Sequence, residues 1–322
     1  MTGVHNEFEI ISEYFASRHH HRQDVTLGIG DDASLCRPPD NSELAISVDT
    51  LISGVHFPTD AEPSDIGWKA LAVNLSDMAA MGATPAWMTL ALTIPKADSN
   101  WLNAFCQGLF ELADLFSVDL IGGDTTRGNL TISIQIIGFV PFGQALCRNN
   151  AQVGDSIYVT GTLGDAALGL KVCLENETLP SVSDDNYVRR RLNRPTPRVS
   201  SGLALRHIAN SAIDISDGLQ ADLGHILAAS GVGACINIDA LPLSSTLRKQ
   251  SNESEIRQLA LTAGDDYELC FTVSPEFETE LLSIEFEHPI TRIGTIERQT
   301  NLRYINVEGQ TIESAQGGYR HF

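Results

Sequence analysis

Positive charge is scarce in this 322-residue sequence: 21 Lys and Arg stand against 41 Asp and Glu, a formal net charge of -20. A surface of that sign repels nucleic acid and anionic membrane, which excludes both as general partners. Long apolar runs are also missing, so no segment reads as a bilayer-spanning helix. Residues 1–10 contain His5, Asn6, Glu7 and Glu9, unlike a secretory signal. The six cysteines (Cys36, Cys106, Cys147, Cys173, Cys235, Cys270) are scattered without a Cys-x-x-Cys pair. That argues against a disulfide framework or a cysteine zinc site and for reduced core thiols in the cytoplasm. Neither G-x-x-x-x-G-K-[ST] nor a full G-x-G-x-x-G is present, which argues against a Walker ATPase and a dinucleotide fold. An acidic protein that handles a phosphorylated ligand must then bring metal ions or a local arginine to its site.

What the chain has instead is aspartate placed at turns and strand ends. The stretch from Ser64 to Pro85 reads as one helix: Pro63 and Ser64 supply the start, with Ser64 as N-cap and Asp65 in the first turn, and Gly82 and Pro85 the stop. Its apolar stripe includes Ala70, Val73 and Met81, and Asp77 falls on that stripe, where an ionised carboxylate needs a cation. A single such Asp more often caps a neighbouring loop; the metal reading depends on what accompanies it.

The length suits two domains, and the 43% hydrophobic content a globular protein. Asn6 to Phe15 forms a short amphipathic helix with Phe8, Ile11 and Phe15 on one stripe, and the His19-His20-His21 run after it reads as a solvated loop. Gly28-Ile-Gly30-Asp31-Asp32 is a sharp turn with paired acids. Leu44 to Val48 is a buried apolar strand ending at Asp49-Thr50, and His56 follows beside Phe57. Ser99 to Phe116 is a periodic helix with Leu102, Phe105, Leu109, Leu112 and Phe116 facing a core. Val118 to Ile121 leads into a glycine-rich loop, Gly122-Gly123-Asp124-Thr125-Thr126-Arg127, whose amides can approach phosphate oxygens and whose acid can hold a bridging cation. The first domain closes near Gly143, and Arg148 lies in the junction. The predicted boundaries are 1–148 and 149–322.

In the second half, strand Ser156 to Thr160 precedes Gly161-Thr-Leu-Gly164-Asp165 and a helix. Strand Ala212-Ile213 runs into Asp214-Ile-Ser216-Asp217-Gly218-Leu219, and Ala263-Gly264-Asp265-Asp266-Tyr267-Glu268 precedes strand Leu269 to Val273. The tail carries Tyr319 after Gly317-Gly318. Each acidic turn alone is an ordinary surface turn. Together, hard carboxylate oxygens without a Cys or His ligand set select Mg²⁺, and acids from both halves suit several ions around a polyphosphate. That is the logic of phosphoryl transfer.

The set Gly30-Asp31-Asp32, Ser47-Val48-Asp49-Thr50, Ala72 to Gly82, Gly122 to Thr125, Asp214 to Leu219 and Asp265 to Leu269 resembles the thiamine-monophosphate kinase family, in the right order over nearly the whole chain. The resemblance implies a mixed α/β, PurM-like architecture of two α/β domains, with the N-terminal domains pairing in a homodimer. It implies transfer from ATP to thiamine phosphate. Asp32, Ser47, Asp49, Asp77, Asp124, Asp214 and Asp217 would hold magnesium. Gly123, Asp124, Arg148 and Ser216 would contact the nucleotide, while His56, Asp265 and Tyr319 would lie around the thiamine moiety. Asp49, Asp77 and Asp124 would be central to catalysis. Two departures stand out: Val48 replaces a frequent Thr or Ser, removing an oxygen near the metals, and Asp265 replaces a frequent Glu. Two other readings stay open: another PurM-like enzyme, such as a selenophosphate or aminoimidazole-ribonucleotide synthetase, and a non-catalytic magnesium or nucleotide binder. The first Cys, Cys36, follows the Gly-Asp-Asp turn, which counts against a selenophosphate synthetase.

Overall fold

The computed structural model describes residues 6–16 and 22–313; the His19–His21 run and Tyr319 lie outside the described residues. The chain divides into two units. One comprises the residues up to Met78 together with Ala83–Gly143, and the other Ala79–Gly82 together with the residues from Gln144 onward. The change after Gly143 precedes the expected boundary at 148, so Arg148 belongs to the second unit.

The first unit opens with α1 (Glu7–Ile10), capped by Asn6, whose side chain accepts the Glu9 amide while Glu9 reaches back to the Asn6 amide. From Ile11 to Ala16 the helix widens into π geometry, turning Ile10, Tyr14 and Phe15 inward. The stripe expected of a 3.6-residue helix therefore does not form, and Phe8 is exposed. β1 (Val25–Leu27) and β2 (Leu35–Cys36) make a two-stranded ribbon. The main sheet contains β3 (Ser42–Ile52), β4 (Thr84–Ile94), β5 (Asp119–Arg127) and β6 (Thr131–Pro141) in the order β3-β6-β4-β5.

Pleating gives this sheet two different faces. Ile132, Ile134 and Ile136 of β6 and Met88, Leu90 and Leu92 of β4 are buried. The register pairs Ser47 with Ile136 and Asp49 with Ile134, so both polar residues share that covered face. Leu44, Ile46 and Val48 share the other face and are 49%, 57% and 60% exposed. The strand expected to be wholly buried is thus an edge strand with one open apolar face. Asp49 sits in its body and not at its end, and Val48 points away from Asp49, so a hydroxyl at 48 would not reach the acid's side of the sheet.

A second correction concerns Gly122 to Arg127. This segment is not a loop but the continuation of β5, paired with Thr89 to Ile94 after an irregularity at Met88 and Thr89. Gly123 is required here: its φ is +150° and a Cβ would stand 1.9 Å from the Leu90 carbonyl oxygen.

α2 (Pro63–Ala80) and α3 (Ser99–Phe116) complete the unit. Pro63 occupies the first helical position, which moves Ser64 from the cap into the first turn. The two helices touch through glycines: a Cβ at Gly108 of α3 would fall 1.7 Å from the Ser64 carbonyl oxygen, and one at Gly67 of α2 2.1 Å from that of Phe105.

The second unit holds a seven-stranded sheet built from β7 (Ser156–Thr160), β8 (Ala209–Asp214), β9 (Gly233–Asn237), β10 (Leu269–Val273), β11 (Ile290–Glu297), β12 (Leu302–Ile305) and β13 (Thr311–Ile312). Its order is β13-β12-β9-β11-β7-β10-β8, antiparallel throughout except for β12 against β9. The helices are α4 (Asp165–Leu174), α5 (Val182–Asn193), α6 (Val199–Ala204), α7 (Leu219–Ser230), α8 (Ser245–Gln250), α9 (Glu253–Thr262) and α10 (Glu278–Ser283). Ile157, Val159, Ile213, Leu223, Ile226 and Ile236 lie in one buried cluster. Because β8 ends and β10 begins at the paired residues Asp214 and Leu269, the two acidic turns lie side by side. Among the described residues no helix is long and apolar enough to cross a membrane.

Gly108→Ala should lower stability by about 1–3 kcal/mol or more, because rigid backbone meets the new methyl. Gly224→Ala in α7, where nothing lies within 4 Å of the added carbon, is the control and should be neutral or stabilising. Urea unfolding of both variants checks this; equal midpoints would refute the close helix crossing.

Candidate active site

In the first unit, Ser47 and Asp49 project from β3 toward the covered face of the sheet, and Asp77 comes to meet them from α2. The Ser47 hydroxyl donates to Asp77 Oδ2. Asp77 is half-buried and is the most open residue of a stretch otherwise buried from Ile66 to Ala80, so the one-sided stripe expected of this helix does not form. Burial, and then the negative charge of Asp77, push the Asp49 carboxyl up to about 6. Two carboxylates and a hydroxyl therefore share a partly desolvated place that favours added positive charge.

The remaining acids of this unit are more open. Asp31 and Asp32 are exposed at a turn where Gly30 has φ +123°, and the Asp32 amide donates to Asp31 Oδ1 at 2.8 Å. Asp124 is exposed on β5 beside Gly123. A small cavity between Ile11, Phe15, Ile29, Leu90 and Leu120 opens against residues 122–125. His56 is half-buried, and its Nδ1 accepts the Ile52 amide at 3.0 Å, which leaves the neutral ring's proton on Nε2. The ring thus carries its donor on the side away from the backbone.

In the second unit the two acidic turns are zipped together. The Ile215 amide donates to the Glu268 carbonyl at 2.7 Å, the Tyr267 amide to that of Ile215 at 2.8 Å, and the Asp265 amide to that of Ser216 at 2.9 Å. Asp214 is buried, and Ser216 and Asp217 are half-buried. Asp265 is held at φ +68°, and its Oδ1 accepts the Tyr267 hydroxyl at 3.0 Å. Arg148 is exposed on a short 3-10 turn, and its carbonyl accepts the Ser230 hydroxyl.

Several polar residues that support these turns were not singled out from the sequence. Fully buried Glu268 receives Arg198 Nε and Nη2, each at 2.5 Å, Arg191 Nη2 at 3.0 Å and the Thr160 hydroxyl at 2.7 Å. Arg191 Nη2 also donates to the Asp266 and Thr162 carbonyls. Asp222 of α7 accepts three amides of the Asp214–Gly218 turn, and burial above all pushes its carboxyl up to about 7. The signal that could have found it is the one that found Asp77: an acid on an apolar stripe, here Leu219, Leu223 and Ile226. Among the described residues no group of three or more His, Cys, Asp or Glu stands in metal-holding proximity.

Two family descriptions match the chain in tandem: the N-terminal domain of AIR synthase related proteins over residues 30–140 and the C-terminal domain over 152–305. With the mixed α/β architecture, these define the class as a PurM-like protein. The thiamine-monophosphate kinase of Escherichia coli (strain K12) is 47% identical over 319 residues, covering 98% of each chain. The crystal structure of the thiamine-monophosphate kinase from Stenotrophomonas maltophilia K279a superposes with a TM-score of 0.85 at 49% identity, covering 91% of this chain and 93% of that one. AaThiL complexed with AMPPCP and TMP superposes at 0.79 and 30% identity, covering 89% of each. The chain belongs to the thiamine-monophosphate kinase family.

Asp266 offers a pH test of the support beneath the Asp265 turn. Its Oδ2 accepts the Gly164 amide at 2.8 Å while Oδ1 has no partner among the described residues, and burial pushes the carboxyl from 3.8 up to about 8. Between those values the folded protein keeps a proton that the unfolded chain has released, so this residue's contribution to stability falls as pH rises. Asp266→Asn keeps an acceptor for Gly164 and removes the titration. Urea unfolding from pH 5 to 8 should show the variant gaining steadily on the wild type; a difference independent of pH would rule out the neutral buried acid.

Proposed function

We propose that the chain catalyses Mg²⁺-dependent, direct in-line transfer of the ATP γ-phosphate to thiamine phosphate, giving thiamine diphosphate and ADP. The observation that carries this reading is the Ser47, Asp49 and Asp77 oxygen set, with Asp49 raised to about 6, in a chain of this family. Hard oxygens with surplus negative charge fit Mg²⁺, which is ordinarily held by one or two carboxylates plus substrate phosphates and water, so a preassembled cage of three acids is not needed. Magnesium at such acids neutralises phosphate charge and orients the transferring group. In this reading several Mg²⁺ ions are bound, with Asp32, Ser47, Asp49, Asp77 and Asp124 as ligands in the first unit and Asp214 and Asp217 as ligands in the second. Gly123, Arg148 and Ser216 contact the nucleotide, with Gly123 allowing close approach of backbone. His56, Asp265 and Tyr319 lie around the thiamine moiety. The acceptor is a phosphate monoester with a second pKa near ~6, already largely a dianion at pH 7, so no residue need act as general base.

The proposed protein is a cytoplasmic homodimer. Support for the compartment comes from six free cysteines. Support for pairing comes from the open apolar face formed by Leu44, Ile46, Val48 and Ile52, which a second copy of the same face would cover. Replacing Ile46 and Val48 together by Lys should shift the protein to monomer in sedimentation velocity; a double variant that sediments like the wild type would remove this face from the interface.

With γ-labelled ATP and MgCl₂, label should appear in thiamine diphosphate when thiamine phosphate is the acceptor, none when thiamine is, and none on the protein. Asp77→Asn should fold normally, because the amide oxygen still accepts from Ser47, yet lose at least about 3 kcal/mol of transition-state stabilisation, roughly a hundredfold in kcat. No labelled thiamine diphosphate with Mg-ATP still bound would favour the non-catalytic binder, and wild-type turnover in Asp77→Asn would refute its metal role.

A further inference from the structure

The turn that carries Asp214, Ser216 and Asp217 has three successive backbone N–H groups directed at one oxygen. Asp222 Oδ2 accepts the amides of Ser216 at 3.0 Å, Asp217 at 3.0 Å and Gly218 at 3.1 Å. Asp222 itself is 3% exposed. Successive amides at the start of a helix make an anion-binding concavity, the arrangement by which many proteins cradle phosphate. Here the protein fills that concavity with its own carboxylate, four residues into the stretch that follows the turn.

We infer that Asp222 is a positioning residue for the reaction: it occupies the amide concavity, fixes the 214–218 turn, and leaves that turn to meet a cation through side-chain oxygens instead of a phosphate through N–H groups. The inference rests on the reading that Asp214 and Asp217 hold Mg²⁺. Asp222 Oδ2 is committed to three donors inside the fold, so that oxygen is no metal ligand in this arrangement. The neighbouring Asp265 turn has its own anchor, because Arg191 Nη2 holds the Asp266 and Thr162 carbonyls and the Asp265 side chain is fixed by the Tyr267 hydroxyl. Loss of Asp222 therefore loosens the Ser216–Gly218 end of the metal-bearing turn first, while the Ser216 and Ile215 carbonyls stay bound to the Asp265 and Tyr267 amides. It also uncovers three amides at the positive end of α7, which attract anions.

The test uses the full chain as wild type, Asp222→Ala, Asp222→Asn and Asp217→Asn, with Mg²⁺ binding followed by titration calorimetry in the presence of a non-hydrolysable ATP analogue and thiamine phosphate titrated separately in turnover. Asp222→Ala should raise the half-saturating Mg²⁺ concentration about tenfold, the usual scale for removing a group that orients metal ligands. The KM for thiamine phosphate should stay within about twofold, and inorganic phosphate should inhibit this variant more strongly than the wild type. Asp222→Asn keeps an acceptor oxygen without the charge and should show a smaller rise, about threefold. A folded Asp222→Ala with wild-type Mg²⁺ dependence, or with both constants rising equally, overturns the proposal. Should the Ala variant fail to fold, wild-type Mg²⁺ dependence in Asp222→Asn overturns it as well. If Asp217→Asn leaves Mg²⁺ dependence unchanged, the metal role of the turn fails and the proposal with it. If Asp217→Asn shifts it and the Asp222 variants do not, the positioning role alone fails.

Discussion

Repulsion between carboxylates held close together in partly desolvated places is the constraint on which this structure turns. An acid moved out of water must be met by a cation, by donors, or by a proton, and the chain uses all three answers. Glu268 is met by two guanidinium groups and a hydroxyl. Asp222 is met by three amides, and Asp266 by one amide and a proton kept to about pH 8. Asp49 is the contrasting case: the charge of Asp77 adds to the penalty of its burial, and its carboxyl sits near 6. Acids satisfied from within build the fold, whereas an acid left with surplus charge beside another is prepared for a ligand of opposite sign.

The backbone follows from the same demand. Bringing Asp49 and Asp77 together needs a strand face and a helix face at close range. The strand supplies Ser47 and Asp49 two residues apart on one side of the pleat. The helix supplies Asp77 from a stretch that is otherwise buried, and α2 is itself seated by glycine contacts to α3 that admit no side chain. At Gly123 the strand must bend past the Leu90 carbonyl, so Asp124 is presented from an edge strand and not from a pliable loop. Rigid elements hold a site more closely than loops do, which suits a reaction in which the protein mainly positions charge.

Much of this was legible in the sequence where one local rule dominated. α3 has the ends, Ser99 and Phe116, that its 3.6-residue period predicts, and β7 and β10 match their short apolar runs. Asp77 stood out as an acid in an otherwise apolar helix, although that helix is buried all round and Asp77 is its half-buried exception. Tertiary context decided the rest. Leu44 to Val48 reads as buried because apolarity alone cannot tell a covered strand from an edge strand whose outer face is open. Gly122 to Arg127 reads as a loop because two glycines and an acid are turn chemistry, yet pairing with β4 holds them extended. Asp222 was hidden by its more conspicuous neighbour Asp217, since the amides it receives are invisible until the turn is closed.

The acidity of the chain also takes on a different meaning once the acids are sorted by partner. A net charge of -20 works against an anionic substrate at long range, but over distances beyond roughly 8–10 Å salt screens most of that field. At contact range the sign is set locally. In the second unit, three amides that would attract phosphate are already spent on Asp222, and the guanidinium groups of Arg191 and Arg198 are spent on Glu268. Exposed Arg148 remains available to an anion, but a single guanidinium leaves most of a triphosphate's charge unbalanced. A fold that uses its own donors internally while presenting acids outward has little means of binding a polyphosphate directly, and divalent cations between acid and phosphate resolve that conflict.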